Sequence, residues 1–421
     1  MSSLGAPTPE ISNQINLWPG FLSKVAGTLG ARGILLCLTF LSSVISARYL
    51  GPEGRGVYAV LTVISGVAIS LGNFGLHAAN TFFLGQDRSL RNQIVSNSAW
   101  ISGIIGLGLI IILVLMKPWL WDSAVYPQWV YYAAIASIPF GLFYLLAQNI
   151  RLGMGQIASF NATDILLTAA GFVAVIVCLV ILRLSAASLI VYATVFNAVA
   201  AVWLFVKLRD QNTNTFDPQL FFKMFRYGLK AYVAALFAFL MLRFDLLMVN
   251  RMIGTDAAGI YSIAVQIADV LYLLPVSIGL ILFPEISAMR SGAWSFTKRT
   301  AQGTAIFLGA CCVAVWFIGP VFIQFAYGQK FRESATALKW LLPGIWTLGI
   351  NTLFMNYFAG TGMPLVTVIS PAIAFFVNLA LNLVLIPKMG VAGASLASTI
   401  CYSIMLLCSA IYVMVFRKQR Q

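Results

Sequence analysis

The stretch ISARYLGPEGRGVYAV, Ile45–Val60, concentrates glycine, proline and charge between two long apolar runs. The stretch MVNRMIGTDAAGIYSI, Met248–Ile263, repeats an arginine, two glycines and a tyrosine at the same spacing. Self-similarity of this kind is the sequence signature of a duplicated structural unit. We refer to the two stretches as the first and second glycine motif.

The composition of the chain is that of an integral membrane protein. Of 421 residues, 60% are hydrophobic and 9% are charged, and the mean hydropathy is +0.91. Globular domains are about 45–50% apolar and about 25% charged. The six cysteines show no CxxC spacing and His77 is the only histidine, so we expect no metal site and no serine protease-like triad.

Apolar runs of about 20 residues match the thickness of the hydrocarbon core of a bilayer. Such runs, bounded by glycine, proline or charge, predict twelve membrane-spanning helices in an all-α protein. The predicted spans are residues 25–49, 56–81, 93–116, 128–150, 160–182, 187–206, 228–250, 258–287, 300–325, 335–359, 364–386 and 391–416.

The distribution of lysine and arginine predicts that both termini are cytoplasmic. With that orientation, fifteen of the 26 basic residues lie in inner segments and nine lie in outer segments. Arg55 is one of the nine. Cytoplasmic loops carry an excess of lysine and arginine in membrane proteins. The predicted organisation is a cytoplasmic tail at 1–24, a six-helix lobe at 25–206, a cytoplasmic linker at 207–227, a second six-helix lobe at 228–416 and a basic tail at 417–421.

Three pairs of residues connect the two glycine motifs: Arg48 and Arg251, Gly51 and Gly254, and Gly56 and Gly259. The arginines are expected to anchor helix ends at the interface. The first pair of glycines is expected to open a tight turn, and the second pair to let backbones approach closely. The two halves should therefore share one orientation and be related by an axis along the membrane normal.

With both motifs in place, the chain resembles the polysaccharide transporter family, the Wzx-type flippases of lipid-linked oligosaccharides. This family lies in the superfamily of multidrug and toxin extrusion transporters and lipid II flippases. The residues that carry the resemblance are RYLGPEGRGVYAV from Arg48, RFDLLMVNRMIGTDAAGIYSIAVQIADVLYLLP from Arg243, LFPEIS from Leu282 and NLALNLVLIPKMGVAGASLAS from Asn378. The resemblance implies two lobes in a V, around a central cavity that opens alternately to each side. The lipid II flippase branch has two more spans, which argues against a peptidoglycan precursor as the cargo.

Polar residues inside the predicted spans form stripes that should face a wet cavity, because a charge at the bilayer centre costs about 2.5 to more than 10 kcal/mol. An undecaprenyl-pyrophosphate-linked oligosaccharide combines an anionic pyrophosphate with a polar glycan, and arginine binds phosphate bidentately. We therefore expect Arg32 and Arg243 to contact phosphate or acidic sugar. The expected glycan contacts are Asn73, His77, Asn80, Gln266 and Asn351.

Asp245 and Asp269 are the candidates for proton or sodium coupling, since a buried carboxylate can change its charge during a transport cycle. A pair between Arg243 and Asp269 is compatible with their positions on neighbouring spans, whereas Asp245 should point toward the internal packing of its lobe. No cofactor is expected. A structural role is the alternative for Arg32, for Arg243 and for His77.

The leading function is a flippase of the bacterial plasma membrane for O-antigen, capsule or exopolysaccharide synthesis. Its expected partners are the lipid-linked oligosaccharide, membrane lipids and other polysaccharide-assembly membrane proteins, and no nucleic acid. A multidrug exporter of the same fold would favour acidic residues facing cationic drugs. A polysaccharide polymerase or ligase would be expected to display a large outer loop, and no predicted outer loop exceeds about a dozen residues. A purely structural membrane protein would not need charged stripes at mid-depth.

Overall fold

The computed structural model describes residues 9–121, 127–209, 216–289, 292–362 and 364–417, with side chains from residue 30 onward except at 230, 231, 284, 288, 416 and 417. Parts of both predicted tails and of the predicted linker therefore lie outside the described residues. The described residues form helices and contain no strand. The all-α fold class predicted from the sequence is confirmed.

Thirteen α-helices follow one another along the described chain. They are α1 Pro9–Gly72, α2 Leu76–Gln86, α3 Arg91–Leu120, α4 Gln128–Ala136, α5 Ile138–Gly153, α6 Ile157–Val175, α7 Ala186–Leu208, α8 Pro218–Met252, α9 Thr255–Ala288, α10 Ala293–Tyr327, α11 Arg332–Gly360, α12 Val366–Met389 and α13 Val391–Arg417. A π-helical segment, Ile176–Ile181, continues α6. Short 3-10 turns precede α3 and α11.

Ten of the described helical stretches are long and apolar enough to cross a membrane. The chain is therefore a multi-pass membrane protein. Two differences separate these ten from the twelve predicted spans. The first two predicted spans fall in one stretch, Gly30–Gly72, and α11 is not among the ten. The number twelve and the cytoplasmic termini stay predictions.

Helix α1 reverses its direction at the first glycine motif. Gly51 has φ 67° and ψ −176°, a conformation that only glycine adopts readily. Thr39 and Thr62 line one cavity, although a straight helix would separate them by about 35 Å at 1.5 Å per residue. The predicted tight turn is therefore present, and Gly254 begins α9 in the same way, with φ 122° and ψ 173°.

The return arm of α1 is broken before α2 begins. Phe74 and Gly75 have φ values of 46° and 77°, so the predicted span 56–81 is not one helix. The Phe74 ring packs against the rings of Phe225 and Tyr232 on α8, at 5.9 Å from each. The Tyr232 hydroxyl donates a hydrogen bond of 2.7 Å to the Leu71 carbonyl. These contacts hold the break against α8.

Helix α8 connects the two halves of the chain. It begins at Pro218, inside the predicted linker, and Leu220 and Met224 belong to a hydrophobic core that α2, α3, α5 and α7 build. The Asn97 amide on α3 exchanges two hydrogen bonds with the backbone of Asp217, at 2.8 and 2.9 Å. Further along, α8 packs against α9 and α12. We define the N-terminal half as α1–α7 and the C-terminal half as α8–α13. The first turns of α8 therefore pack on the N-terminal half, and its later turns pack on other helices of the C-terminal half.

The larger hydrophobic core spans both halves of the chain. Within the C-terminal half, α11 packs between α9 and α13, and α12 packs on α13 and α8. Within the N-terminal half, α5 contacts α2, α3 and α7. Helices α1 and α9, which carry the two glycine motifs, pack against each other and join the halves.

Candidate functional site

A cavity of about 330 Å³ lies between α1 of the N-terminal half and α8 and α9 of the C-terminal half. We call it the central cavity. Its lining combines hydroxyl, amide and charged side chains with a few apolar ones. The polar lining residues are Thr39, Ser42, Ser43, Ser46, Arg55, Tyr58, Thr62, Arg243, Ser262, Gln266 and Asp269. Parts of the predicted polar stripes thus meet here.

Arg243 on α8 and Asp269 on α9 form an ion pair across the wall of the central cavity. The Nη1 atom of Arg243 lies 2.9 Å from Oδ2 of Asp269, and the two side chains are 33% and 35% exposed. The predicted pair is therefore present. Partial exposure keeps both groups in contact with the cavity, where a charge avoids the full penalty of burial in a bilayer.

Arg55 also lines the central cavity, and the sequence analysis did not place it among the candidate site residues. The side chain is buried, and it donates hydrogen bonds to Oγ of Ser46 at 3.1 Å and to Oε1 of Gln266 at 3.0 Å. Its Nε has no partner among the described residues. Because α1 resumes as a helix right after the turn at Gly51, Arg55 lies in the first turn of the return arm and points inward.

A signal for Arg55 does exist in the sequence. The residue that corresponds to it in the second glycine motif is Ala258, so the two copies differ here within an otherwise shared pattern. Ala258 is fully buried in the hydrophobic core. Arg55 carries a charge where Ala258 carries only a methyl group. This difference indicates that Arg55 has a role beyond the turn that both motifs form.

Gln266 links the two halves at the central cavity. Its side-chain oxygen accepts hydrogen bonds from Arg55 and from the Ser43 hydroxyl, and its Nε2 donates to the Thr39 carbonyl at 3.4 Å. Gln266 lies on α9, whereas its three partners lie on α1. The predicted site residue Gln266 is therefore at the cavity and bridges its walls.

The two glycine motifs touch each other beside the central cavity. A Cβ atom on Gly56 would lie 1.9 Å from the carbonyl oxygen of Thr255, and one on Gly259 would lie 1.9 Å from that of Pro52. Only glycine permits this approach of the backbones. The expected close contact is thus a contact between the two copies, at what we call the motif end of the bundle.

Arg48 adds a second connection at the motif end. Its guanidinium donates to the carbonyl oxygens of Ala326, at 2.7 Å, and of Phe325, in the last turn of α10. Cations stabilise the negative end of a helix. Arg48 was expected to be an interfacial anchor, and it also caps a helix of the other half.

Asp245 lies away from the central cavity, inside the C-terminal half. The carboxylate is 2% exposed and accepts hydrogen bonds from Nδ2 of Asn382 at 2.7 Å, from the Tyr261 hydroxyl at 3.2 Å and from the Ser398 hydroxyl. These donors come from α9, α12 and α13. Asp245 therefore points toward the internal packing, as the helix geometry predicts.

The other predicted site residues are not part of the central cavity lining. Asn73 and His77 contact each other at the helix break, with Nδ2 of Asn73 2.6 Å from Nδ1 of His77. The Asn80 amide is fully buried and donates to Ser98. Asn351 is buried and accepts a hydrogen bond of 2.7 Å from the Ser409 hydroxyl. Arg32 is exposed on α1.

The arrangement suits binding and movement of a polar ligand. The central cavity is lined by two arginines and one carboxylate, which leaves an excess of one positive charge. Among the described residues, no cluster of three or more histidine, cysteine, aspartate or glutamate side chains could hold a metal ion.

The chain is similar to two curated proteins over part of their length. One is an uncharacterized membrane protein of Methanocaldococcus jannaschii, 23% identical over 226 residues, which are 51% of this chain and 44% of that protein. The other is a Shigella flexneri protein named as a candidate O-antigen transporter, 22% identical over 190 residues, which are 44% of this chain and 45% of that protein. The chain thus spans less than half the length of the curated relatives it matches.

Two solved structures share the fold of the chain. The lipid II flippase MurJ, in an inward closed conformation, has a TM-score of 0.80 and 14% identity, covering 94% of this chain and 88% of that one. An inward-facing multidrug resistance MATE family transporter of the MOP superfamily has a TM-score of 0.73 and 13% identity, covering 92% of this chain and 96% of that one.

The resemblance noted in the sequence is confirmed by these comparisons. Membrane transporters among the relatives, together with the ten apolar helices, are consistent with a location in the bacterial inner membrane. A sequence profile of the family described as polysaccharide biosynthesis protein matches residues 45–336, which is more than half of the chain. The chain therefore belongs to the polysaccharide biosynthesis protein family and has the fold of membrane flippases and transporters.

Proposed function

We propose that the protein is a flippase that moves an undecaprenyl-pyrophosphate-linked oligosaccharide across the plasma membrane for synthesis of a surface polysaccharide. The observation that carries this proposal is the central cavity, where Arg55 from one half of the chain faces Arg243 from the other. Moving a lipid between leaflets breaks and forms no covalent bond. The chain needs to bind the polar headgroup, shield it from the bilayer and release it.

The two arginines have the chemistry to bind a pyrophosphate. Each guanidinium carries five N–H donors in a fixed planar arrangement that matches phosphate oxygens. Nη1 of Arg243 is engaged by Asp269. Nη1 and Nη2 of Arg55 make one hydrogen bond each, to Ser46 and Gln266. Both side chains therefore retain donors for an anionic group in the central cavity.

Alternating access requires the motif end to open. We propose that three contacts break when the cavity opens to the outer side of the membrane. They are the Gly56–Gly259 contact, the hydrogen bonds of Gln266 and the hydrogen bonds of Arg48. These contacts are few and local, so binding energy from the cargo can offset their loss. A phosphate on Arg55 would also compete with Gln266 for its donors.

Asp245 and Asp269 are the proposed groups for proton or sodium coupling. Asp269 is paired to Arg243, so a change in its charge would free that arginine in the central cavity. Asp245 lies where α8, α9, α12 and α13 meet, and hydroxyl and amide groups surround it. Binding of a proton or a sodium ion at Asp245 would alter how α8 packs on its neighbours.

A multidrug exporter of the same fold is the rival function. Cationic drugs are favoured by unpaired carboxylates, and Asp269 is paired while Asp245 lies outside the central cavity. The cationic lining favours an anionic cargo.

The proposal is tested by deleting the gene and determining in which leaflet lipid-linked glycans reside. We expect these glycans to accumulate on the cytoplasmic side and surface polysaccharide to be lost. An unchanged leaflet distribution, with altered resistance to cationic drugs, would establish the exporter instead.

A further inference from the structure

A second cavity, of about 410 Å³, lies inside the N-terminal half between α1, α5, α6 and α7. We call it the side cavity. It shares Thr39, Ser42 and Tyr58 with the central cavity, so the two lie side by side. Its volume falls within the range of about 300–1,000 Å³ that is typical of small-molecule sites. The sequence analysis assigned no function to this region.

Polar groups of the side cavity lack partners within the protein. Oδ1 of Asp164 accepts hydrogen bonds from the Tyr144 hydroxyl at 2.6 Å and from Nε2 of Gln148 at 2.9 Å. Its Oδ2, and the side chains of Thr168 and Asn197, make no hydrogen bond to other described residues. These side chains are half-exposed and open to the cavity, so their free donors and acceptors are available to a ligand that supplies both in return.

Aromatic rings form part of the wall. Tyr192 and Phe196 stack on each other along α7, with ring centroids 5.2 Å apart, and Tyr58 and Phe172 also line the cavity. A sugar ring carries C–H groups on its faces and hydroxyl groups around its edge. Aromatic faces beside hydrogen-bonding groups match both features, whereas an acyl chain would leave the polar groups unpaired.

The charge of the side cavity differs from that of the central cavity. Among the described residues, Asp164 is the only carboxylate in its lining, and none of the lining residues is an arginine or lysine. A carboxylate accepts hydrogen bonds and repels other anions. The side cavity therefore suits a neutral or amino sugar and disfavours an acidic one.

We propose that the side cavity is a saccharide subsite, in which neutral sugar units of the cargo bind while its pyrophosphate lies at Arg55 and Arg243. This inference rests on the proposed flippase function. The two cavities share wall residues, and the proposal requires one headgroup to reach from one to the other. Asn197 and Asp164 hydrogen-bond the sugar hydroxyls, and Tyr192 packs on the ring face.

The test uses the full-length protein in proteoliposomes with two probe lipids. One is bare polyprenyl pyrophosphate, and the other is the same lipid carrying a neutral disaccharide. The measured quantity is the ratio of the disaccharide-lipid flipping rate to the bare-lipid rate. The loss of one uncharged hydrogen bond weakens binding by a factor of about 2 to 12. We therefore expect Asn197→Leu to lower the ratio of the two flipping rates about three- to tenfold.

Two further variants complete the set. Gly171→Leu fills the side cavity, since a Cβ at Gly171 would meet nothing within 4 Å, and it should lower the ratio as well. Val195→Leu, on the exposed side of α7, is the matched control and should leave the ratio at the wild-type value. Asp164→Asn removes the negative charge and should raise the relative rate of a lipid carrying a uronic acid.

The outcomes separate this inference from the proposed function. If the wild-type protein flips neither lipid, the flippase function fails. If it flips the disaccharide lipid and both Asn197→Leu and Gly171→Leu keep the wild-type ratio, the subsite is refuted and the flippase function stands. If Asp164→Asn changes only the dependence of flipping on sodium or pH, the side cavity is an ion site and the inference is likewise overturned.

Discussion

Arg55 and Arg243 illustrate what can and cannot be read from the sequence at the scale of single residues. The Arg243–Asp269 pair was compatible with the sequence because Arg243 and Asp245 point to different sides of α8, and charges inside apolar helices need partners. Arg55 lies beside a proline and glycines, and these residues place it in a loop when the chain is read linearly. Only the sharp turn at Gly51 brings it back into the membrane.

The surroundings of Asp245 were beyond the sequence for a different reason. Its partners Asn382 and Ser398 are more than a hundred positions away, on α12 and α13. Helical periodicity gives the direction in which a side chain points, and it does not identify the side chains of other helices that it meets. The internal direction of Asp245 was therefore predictable, and its hydrogen-bond donors were not.

A prediction about stability follows for Asp245. Asp245→Ala removes the shared acceptor of Asn382, Tyr261 and Ser398 in a buried site. Asn382 and Ser398 keep the acceptors Asn378 and Ala394, whereas the Tyr261 hydroxyl is left unsatisfied, at a cost of about 1–3 kcal/mol. We expect the midpoint of thermal unfolding in detergent to fall clearly. Glu285→Ala, which removes an exposed carboxylate at the far end of α9, is the control and should leave the midpoint unchanged.

The conservative variant separates stability from coupling. Asp245→Asn retains oxygen and shape, so the protein should unfold near the wild-type temperature. If Asp245 takes part in coupling, flipping by this variant should no longer respond to a proton or sodium gradient. An Asp245→Asn protein that responds to both gradients like the wild type would remove Asp245 from the coupling proposal.

At the scale of helices, the pattern of apolar runs and glycine motifs predicted the turns well and the helix ends less well. Gly51 and Gly254 mark the turns because glycine alone suits the backbone conformations found there. The break at Phe74 was not predictable, since an aromatic residue rarely adopts a positive φ and only contacts from α8 hold it. The start of α8 was missed because its first turns carry Lys223 and Arg226 among apolar residues and contact the other half of the chain.

The contact between the two glycine motifs provides a prediction at this scale. Gly56→Val places methyl groups where the Thr255 carbonyl lies, so α1 and α9 cannot approach at the motif end. We expect flipping to fall at least tenfold while the protein still inserts into the membrane. Gly103→Val on α3, where a Cβ would meet nothing within 4 Å, should flip lipid at the wild-type rate.

Failure of this prediction would be equally informative. If Gly56→Val and Gly103→Val flip lipid at equal rates, closure of the motif end by the two glycines is not part of the cycle. The motif contact would then be a static feature of the fold.

At the scale of the whole molecule, the repetition of the glycine motif was readable from the sequence, and the way the two motifs meet was not. Composition and span length predicted a multi-pass helical protein, and the ten apolar helices agree. The meeting of the copies depends on long-range packing of α1 on α9 and on the crossing of α8 between the halves. Neither is encoded in local periodicity.

The central claim is that a cationic cavity between the two halves carries an anionic lipid-linked glycan across the bilayer. The most direct measurement replaces the wild-type protein in cells by the Arg55→Ala/Arg243→Ala double variant and determines the leaflet distribution of lipid-linked glycans, with membrane insertion monitored in parallel. The account predicts normal insertion and accumulation of the glycans in the cytoplasmic leaflet. If cells that contain only the double variant distribute lipid-linked glycans between the leaflets as wild-type cells do, the central claim is contradicted.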